Sequence, residues 1–228
     1  KFVLEKILCQ SINELKDLIK LKNKYNFKSW ISCHRCLWSD YISLKKKINT
    51  KNVDNFLFHV IGARWNIASN SIHFMHLANF LFGPQNYKKS NFEIKKNIKW
   101  KESKRKNFFD FQGSIKFLFQ NNSKIILEDV FKKDRTQNFK IILKNNKMNI
   151  EIDEINGKIT FNNKTYKFKE ELVSKVFTKE IHDILLFKKS SLPTIDETFD
   201  LHSFLIKSLL LDWNKFNRLY KNKTLPMT

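Results

Sequence analysis

Two histidines three residues apart, His73 and His76, interrupt an otherwise largely apolar run, Ser69 to Gly83 (SNSIHFMHLANFLFG). On a helix that spacing places both imidazoles on one face, where they can ligate a metal, exchange protons with a substrate or fill a core. Spacing alone leaves the three open. Cys33 and Cys36 form a second candidate, because a CxxC serves both redox dithiols and half of a zinc site. No second CxxC or CxxH pair exists to complete four ligands, so neither chemistry is expected there. An odd total of 3 cysteines also argues against a disulfide scaffold and fits a reducing, cytoplasmic setting.

The histidines share a face only if a helix carries them. Ile72, Met75, Ala78, Asn79 and Phe82 follow a period of roughly 3.6, Ser69 or Asn70 can cap the start, and Gly83 followed by Pro84 is a stop signal. Upstream, KFVLEK reads as a short buried strand. Ser11 to Glu14 (SINE) is a capping box opening a helix whose stripe is Ile12, Leu15, Leu18 and Ile19 and which ends near Lys24. A strand, KSWISC, leads to a helix over Ser39 to Ile48, and another, NFLFHVIGA, leads to the histidine helix. The opening third is therefore β-α-β-α-β-α.

After Pro84, the segments NIKWKES, FFDFQGSIKFLFQNN, SKIILEDVF, FKIILKNN, KMNIEIDEINGK and ITFNNKTYKF alternate apolar and polar residues between Asn-rich turns, as antiparallel strands do. A Pro-led amphipathic segment closes the chain as a helix over about residues 193–217. The expected fold is α+β, a large and mostly antiparallel sheet with helices on one face. A buried strand at the start needs sheet neighbours, and the first residue is Lys, so a lost or removed upstream segment is expected.

A formal net charge of +21 invites a nucleic-acid reading. Lys, Asn, Ile and Phe are all abundant together, however, and the lysines are scattered through every segment, with Lys45–Lys47 and Lys101–Arg105 the only dense runs. The charge is read as compositional, and no nucleic-acid partner is expected. No apolar run reaches the ~18 residues of a membrane span, so no membrane partner is expected either.

The order of elements, with VLEK ending in Glu5-Lys6, the strand leading to Arg35 and Tyr41, and RWNIASNSIHFMHLANFLFG, resembles the Gfo/Idh/MocA family of NAD(P)-dependent oxidoreductases. GSIKFLFQNNSKIILE, KMNIEIDEINGK and SSLPTIDETFDLHSFLIKSLLLDWN resemble its sheet strands, its edge pairing and its closing helix. The resemblance implies that residues 1–30 are a remnant of the dinucleotide-binding Rossmann domain, its last β-α-β elements, and residues 31–228 the substrate-binding and catalytic domain. It implies NAD or NADP as cofactor, a sugar or nucleotide-sugar substrate in a surface-polysaccharide pathway, and a homo-oligomer through the antiparallel sheet.

Residue by residue, the family's EKP appears as Glu5-Lys6-Ile7. The resemblance gives Glu5 and Lys6 to the cofactor and makes Lys6 catalytic, near the reacting hydroxyl. The family's D-x-G-x-H maps onto Ser69 to His73, which makes His73 the acid/base candidate and Asn70 a substrate contact, while Ser69 replaces the aspartate. His76 is left as a packed residue, and no metal is expected. Arg35 and Tyr41 resemble positions flanking the substrate pocket, and Arg64 and Trp65 sit just before the histidine helix, where a guanidinium and an indole can hold a sugar or its phosphate. No G-x-G-x-x-G occurs among the chain's 4 glycines, so the cradle for a dinucleotide's pyrophosphate is lacking and the chain alone is expected to be inactive. The alternative is a non-catalytic fragment or dimerising module that has lost cofactor binding.

Overall fold

The computed structural model describes residues 1–48, 55–130, 139–187, 189–217 and 223–227. Among the described residues, five α-helices pack with two sheets. Strand β1 (Phe2–Leu4) crosses through helix α1 (Ile12–Tyr25) to β2 (Ser29–Ile31), and the two strands pair in parallel. Ser11 caps α1 as its sequence demands, its hydroxyl accepting from the Glu14 N–H. A 3₁₀ turn (His34–Leu37) leads to α2 (Ser39–Lys47), β3 (Leu57–Gly62) and the histidine helix α3 (Ile67–Phe82). The expected β-α-β-α-β-α order stands, with the strand in KSWISC shorter than the segment.

Beyond Pro84 run β4 (Asn91–Glu102), β5 (Phe109–Leu118), β6 (Lys124–Asp129), β7 (Lys140–Lys144), β8 (Asn149–Asp153), β9 (Lys158–Phe161) and β10 (Lys164–Lys167). The last residue of SKIILEDVF, Phe131, lies outside the described residues. With β3 they form one eight-stranded sheet in the order β10-β9-β8-β7-β3-β6-β5-β4. All its pairs are antiparallel except β3 with β6, where Leu57 to Gly62 lies alongside Lys124 to Asp129.

Helices α4 (Val173–Phe187) and α5 (Ile195–Phe216) complete the chain. Thr194 and Glu197 form a full capping box at α5. Helix α4 is absent from the sequence expectation. No Ser, Thr, Asp or Asn stands just before Val173, and the exposed Leu185, Leu186 and Phe187 blur its apolar stripe.

The core sits between the large sheet and its helices. Phe58 and Val60 of β3, Ile125 and Leu127 of β6, and Ile141 and Leu143 of β7 face Ile72, Met75 and Leu209 from α3 and α5. Helix α3 is buried on almost every side, so its histidines are introduced into the interior. Among the described residues, no helix is long and apolar enough to cross a membrane.

Candidate functional site

The first turn of α3 is where distant segments meet. The helix starts at Ile67 behind Asn66, whose φ of 59° is left-handed and whose side chain makes no capping bond. Ser69 and Asn70, expected as caps, lie inside the helix instead. The capping role falls to Asp110 of β5, which is 5% exposed. Its carboxylate accepts from the N–H groups of Ala68 (2.9 Å) and Ser69 (3.2 Å), from Ser69 Oγ (2.9 Å) and from the Phe111 N–H (2.8 Å). Burial pushes the Asp110 carboxyl upward, while these donors pull it back. Asp129 of β6 holds the preceding turn, accepting from the Arg64 N–H at 2.6 Å.

Lys6 reaches this turn from the end of β1. Its Nζ donates to Asn70 Oδ1 at 2.7 Å and to the Ser69 carbonyl at 3.0 Å. The Lys6–Ile7 peptide bond is cis. Burial lowers the ammonium from its ordinary range. The neighbouring Glu5, Cys33 and Asp110 oppose that shift, and Arg35 adds to it. Asn70 is fixed in turn, its amide nitrogen donating to the carbonyls of Trp65 (2.6 Å) and Asn66 (3.3 Å). Glu5 is exposed and lies beside Lys6 on a separate depression that also includes Arg105 and Met227.

His73 and His76 part company. His73 faces a cavity of about 370 Å³ and is 8% exposed, with Nδ1 buried and unpartnered. Burial first, then the charges of Lys6 and Arg35, pull its pKa down to about 2, so the ring is neutral at any working pH. His34 packs edge-on against it at 5.1 Å between centroids and is drawn down to about 4 by burial and by Arg35. His76 is outside this cavity, and its pKa is lowered to about 4 by burial and by the fields of His202 and Lys45. Among the described residues, no three His, Cys, Asp or Glu side chains gather as a metal site.

Arg35 also lines the cavity. Its guanidinium forms a two-pronged pair with Glu154, Nε to Oε1 at 3.0 Å and Nη2 to Oε2 at 2.9 Å, and lies 4.5 Å from the centre of the Phe74 ring. Tyr41 is fully buried behind it, donating to Glu154 Oε1 at 2.6 Å, and does not line the cavity. Burial alone would raise the Glu154 carboxyl, but Arg35 and the Tyr41 hydroxyl outweigh it and hold the group below the usual carboxylate range. Trp65 and Phe139 continue the aromatic wall begun by Phe74. Trp65 Nε1 donates to the Glu128 carbonyl at 2.9 Å. Arg64 is exposed and outside the lining.

The structure therefore brings together Lys6 and Asn70, and around the cavity Asn70, His73, Arg35 and Trp65; Tyr41 supports them from behind. Glu154, Asp110, His34, Phe74 and Phe139 are additions that sequence reading did not supply. Glu154 had a signal, since it continues the inward register of Ile150 and Ile152. Cys33 and Cys36 are buried free thiols, with Cys36 Sγ donating to the Cys33 carbonyl at 3.1 Å. Burial pushes the Cys36 thiol up to about 12.

The residues present do not fit the pyrophosphate of a dinucleotide. That group needs a glycine turn at a helix N-terminus, and none of Gly62, Gly83, Gly113 and Gly157 precedes α1. The start of α1 is already closed by Ser11, and Glu14 in its first turn puts a negative charge where phosphate would sit.

No family model matches the sequence, and no curated protein sequence matches it. Solved structures do match the fold. An oxidoreductase from Agrobacterium radiobacter, crystallised with NAD⁺, L-tartaric acid and magnesium, superposes with a TM-score of 0.62 at 12% identity, over 90% of this chain and 68% of that one. A UDP-N-acetylglucosamine 3-dehydrogenase from Acidithiobacillus ferrooxidans gives 0.67 at 8% identity, over 90% and 68%. A super-repressor mutant of Gal80p from Saccharomyces cerevisiae gives 0.67 at 13% identity, over 95% and 71%.

Proposed function

We propose that this chain, which has the fold of the Gfo/Idh/MocA-type oxidoreductases, is the substrate-binding and proton-handling part of an NAD(P)-dependent oxidoreductase of the cytoplasm. Its substrate is a sugar or nucleotide-sugar hydroxyl or carbonyl, in surface-polysaccharide synthesis. The observation that carries the reading is the junction at the start of α3. There Lys6 and Asn70, 64 residues apart in sequence, share a 2.7 Å hydrogen bond beside the cavity that His73 lines.

The chemistry follows from the two side chains. A lysine drawn below its ordinary pKa can shed its proton and then take one from a substrate hydroxyl, or return it to a developing alkoxide. His73, kept neutral, lines the cavity with Nδ1 sealed and Nε2 left for a substrate oxygen, while Lys6 lies outside that lining and is joined to it through Asn70. The faces of Trp65, Phe74 and Phe139 suit the apolar faces of a sugar ring, and Asn70 and Glu154 suit its hydroxyls. The neighbouring UDP-N-acetylglucosamine dehydrogenase supports that substrate class. The dinucleotide phosphates find no fit among these residues, so the proposal confines the chain's own work to substrate and proton.

Isothermal titration with a panel of free and nucleotide-linked sugars tests the reading. One member should bind, and His73→Ala and Lys6→Met should each weaken it by at least about tenfold, roughly 1.4 kcal/mol. Binding that neither substitution alters would overturn it.

A second reading, a non-catalytic dimerising module, is favoured by the poor fit for the cofactor. Pairing through the large sheet belongs to both readings. On its outer face, half-buried Ile142, His59 and Ile126 lie in one row across β7, β3 and β6, a strip that a two-fold axis can match with itself.

A further inference from the structure

The Asp110 carboxylate is nearly sealed from solvent and accepts from the first turn of α3, at Ala68 and Ser69, and from its own strand neighbour Phe111. Ser69 is the shared node. Its N–H and hydroxyl go to Asp110, while its carbonyl accepts the Lys6 ammonium at 3.0 Å. A change at Asp110 is therefore transmitted to Lys6 by two routes, through the placement of the Ser69 peptide and through the field of the carboxylate.

We propose that Asp110 is a positioning residue for Lys6: from β5 it fixes the Ser69 peptide that holds the lysine and supplies a buried negative charge facing it. A capping residue needs only an acceptor oxygen, which asparagine or serine provides as well. Burial as a full carboxylate, on a strand 41 residues distant from Ser69, adds a charge that capping does not require. The other groups that act on Lys6 are Glu5 on its own strand end, Cys33 and Arg35 beside the 3₁₀ turn, and the rings of His34 and His73, both neutral near pH 7. Glu5 is exposed and screened by solvent, which leaves Asp110 as the sealed anion of the set. This inference rests on the reading of Lys6 as the proton-handling group, but its test needs no substrate.

The experiment is competitive acetylation of the intact chain with acetic anhydride across a pH series, the Lys6 peptide being quantified by mass spectrometry. Asp110→Asn keeps an acceptor for the helix start and removes the charge. The Lys6 titration should move to lower pH, with labelling at pH 7 rising about threefold. Asp110→Ser, which also retains a capping oxygen, takes the same test if the asparagine variant does not fold. A Lys6 profile unchanged or shifted to higher pH in a folded variant would overturn the proposal. Failure of the sugar-binding test with a shifted Lys6 profile would discard the enzymatic reading and leave the role of Asp110 standing.

Discussion

Glu154→Gln is the most informative single change in this molecule. The native carboxylate accepts three short bonds, two from Arg35 at 3.0 and 2.9 Å and one from Tyr41 at 2.6 Å. Glutamine with its carbonyl at the Oε1 position keeps the bonds from Arg35 Nε and Tyr41 but turns an amide donor toward Arg35 Nη2, so one of the three is lost, and such a bond to a charged group contributes roughly 1.5–3 kcal/mol. Arg35 is then left without its anion. Its side chain is 16% exposed on the cavity side, so water relieves part of that deficit. The net expectation is about 3 kcal/mol of lost stability at pH 7, or roughly 6–12 °C in Tm for a chain of this size.

The pH dependence supplies an independent check. The folded Glu154 carboxyl lies below its unfolded value, so its contribution is fully present above the unfolded range near ~4.3 and is lost as pH falls through the depressed folded value. Urea titrations of both proteins from pH 7 down to 3 should therefore converge on the acid side, because the variant lacks that term. A variant within ~0.5 kcal/mol of the native protein at pH 7, or a difference that does not shrink with acid, refutes the account of the buried pair.

Two further expectations concern the sheet. Gly113 has a φ of 153°, and a Cβ there would collide with the Lys95 carbonyl and approach Lys96 Cα at 2.8 Å, next to the register shift in β4. Gly113→Ala should destabilise by more than about 2 kcal/mol in denaturant titration, and a neutral result would show that β4 is free to move away. Ile142→Asp places a charge in the outer row beside His59. Sedimentation should show dimers of the native chain falling to monomers, whereas a native chain that sediments as a monomer at about 50 µM removes pairing through this face.

Local signals in the sequence carried much of the fold. The SINE box and the Gly83-Pro84 stop each act within four residues, so α1 and the end of α3 were legible, and the Pro-led amphipathic pattern marked α5. Helix α4 lacks a cap and went unread between the strand ITFNNKTYKF and the closing helix. The site was harder because its chemistry depends on pairs far apart in the chain: Arg35 with Glu154, Ser69 with Asp110, Arg64 with Asp129. Inward register still marked two of these acids. Asp129 follows Ile125 and Leu127, as Glu154 follows Ile150 and Ile152, and a carboxylate in a buried parity position is a group awaiting a partner. Asp110 had no such mark, because Phe111 beside it occupies the core-facing parity.

The placement of β3 has a consequence for how the molecule comes to exist. Its neighbours are β6 and β7, so Leu57 waits for Lys124 on one edge and Lys144 on the other. A ribosome must deliver more than half the chain before the central strand of the sheet gains either partner, and large loops must close before any reward is collected. During that interval the apolar α3 has no sheet to cover it. Biogenesis of this fold thus includes a stretch in which its future core is open to other proteins, and holding chaperones are the natural guardians of that stage.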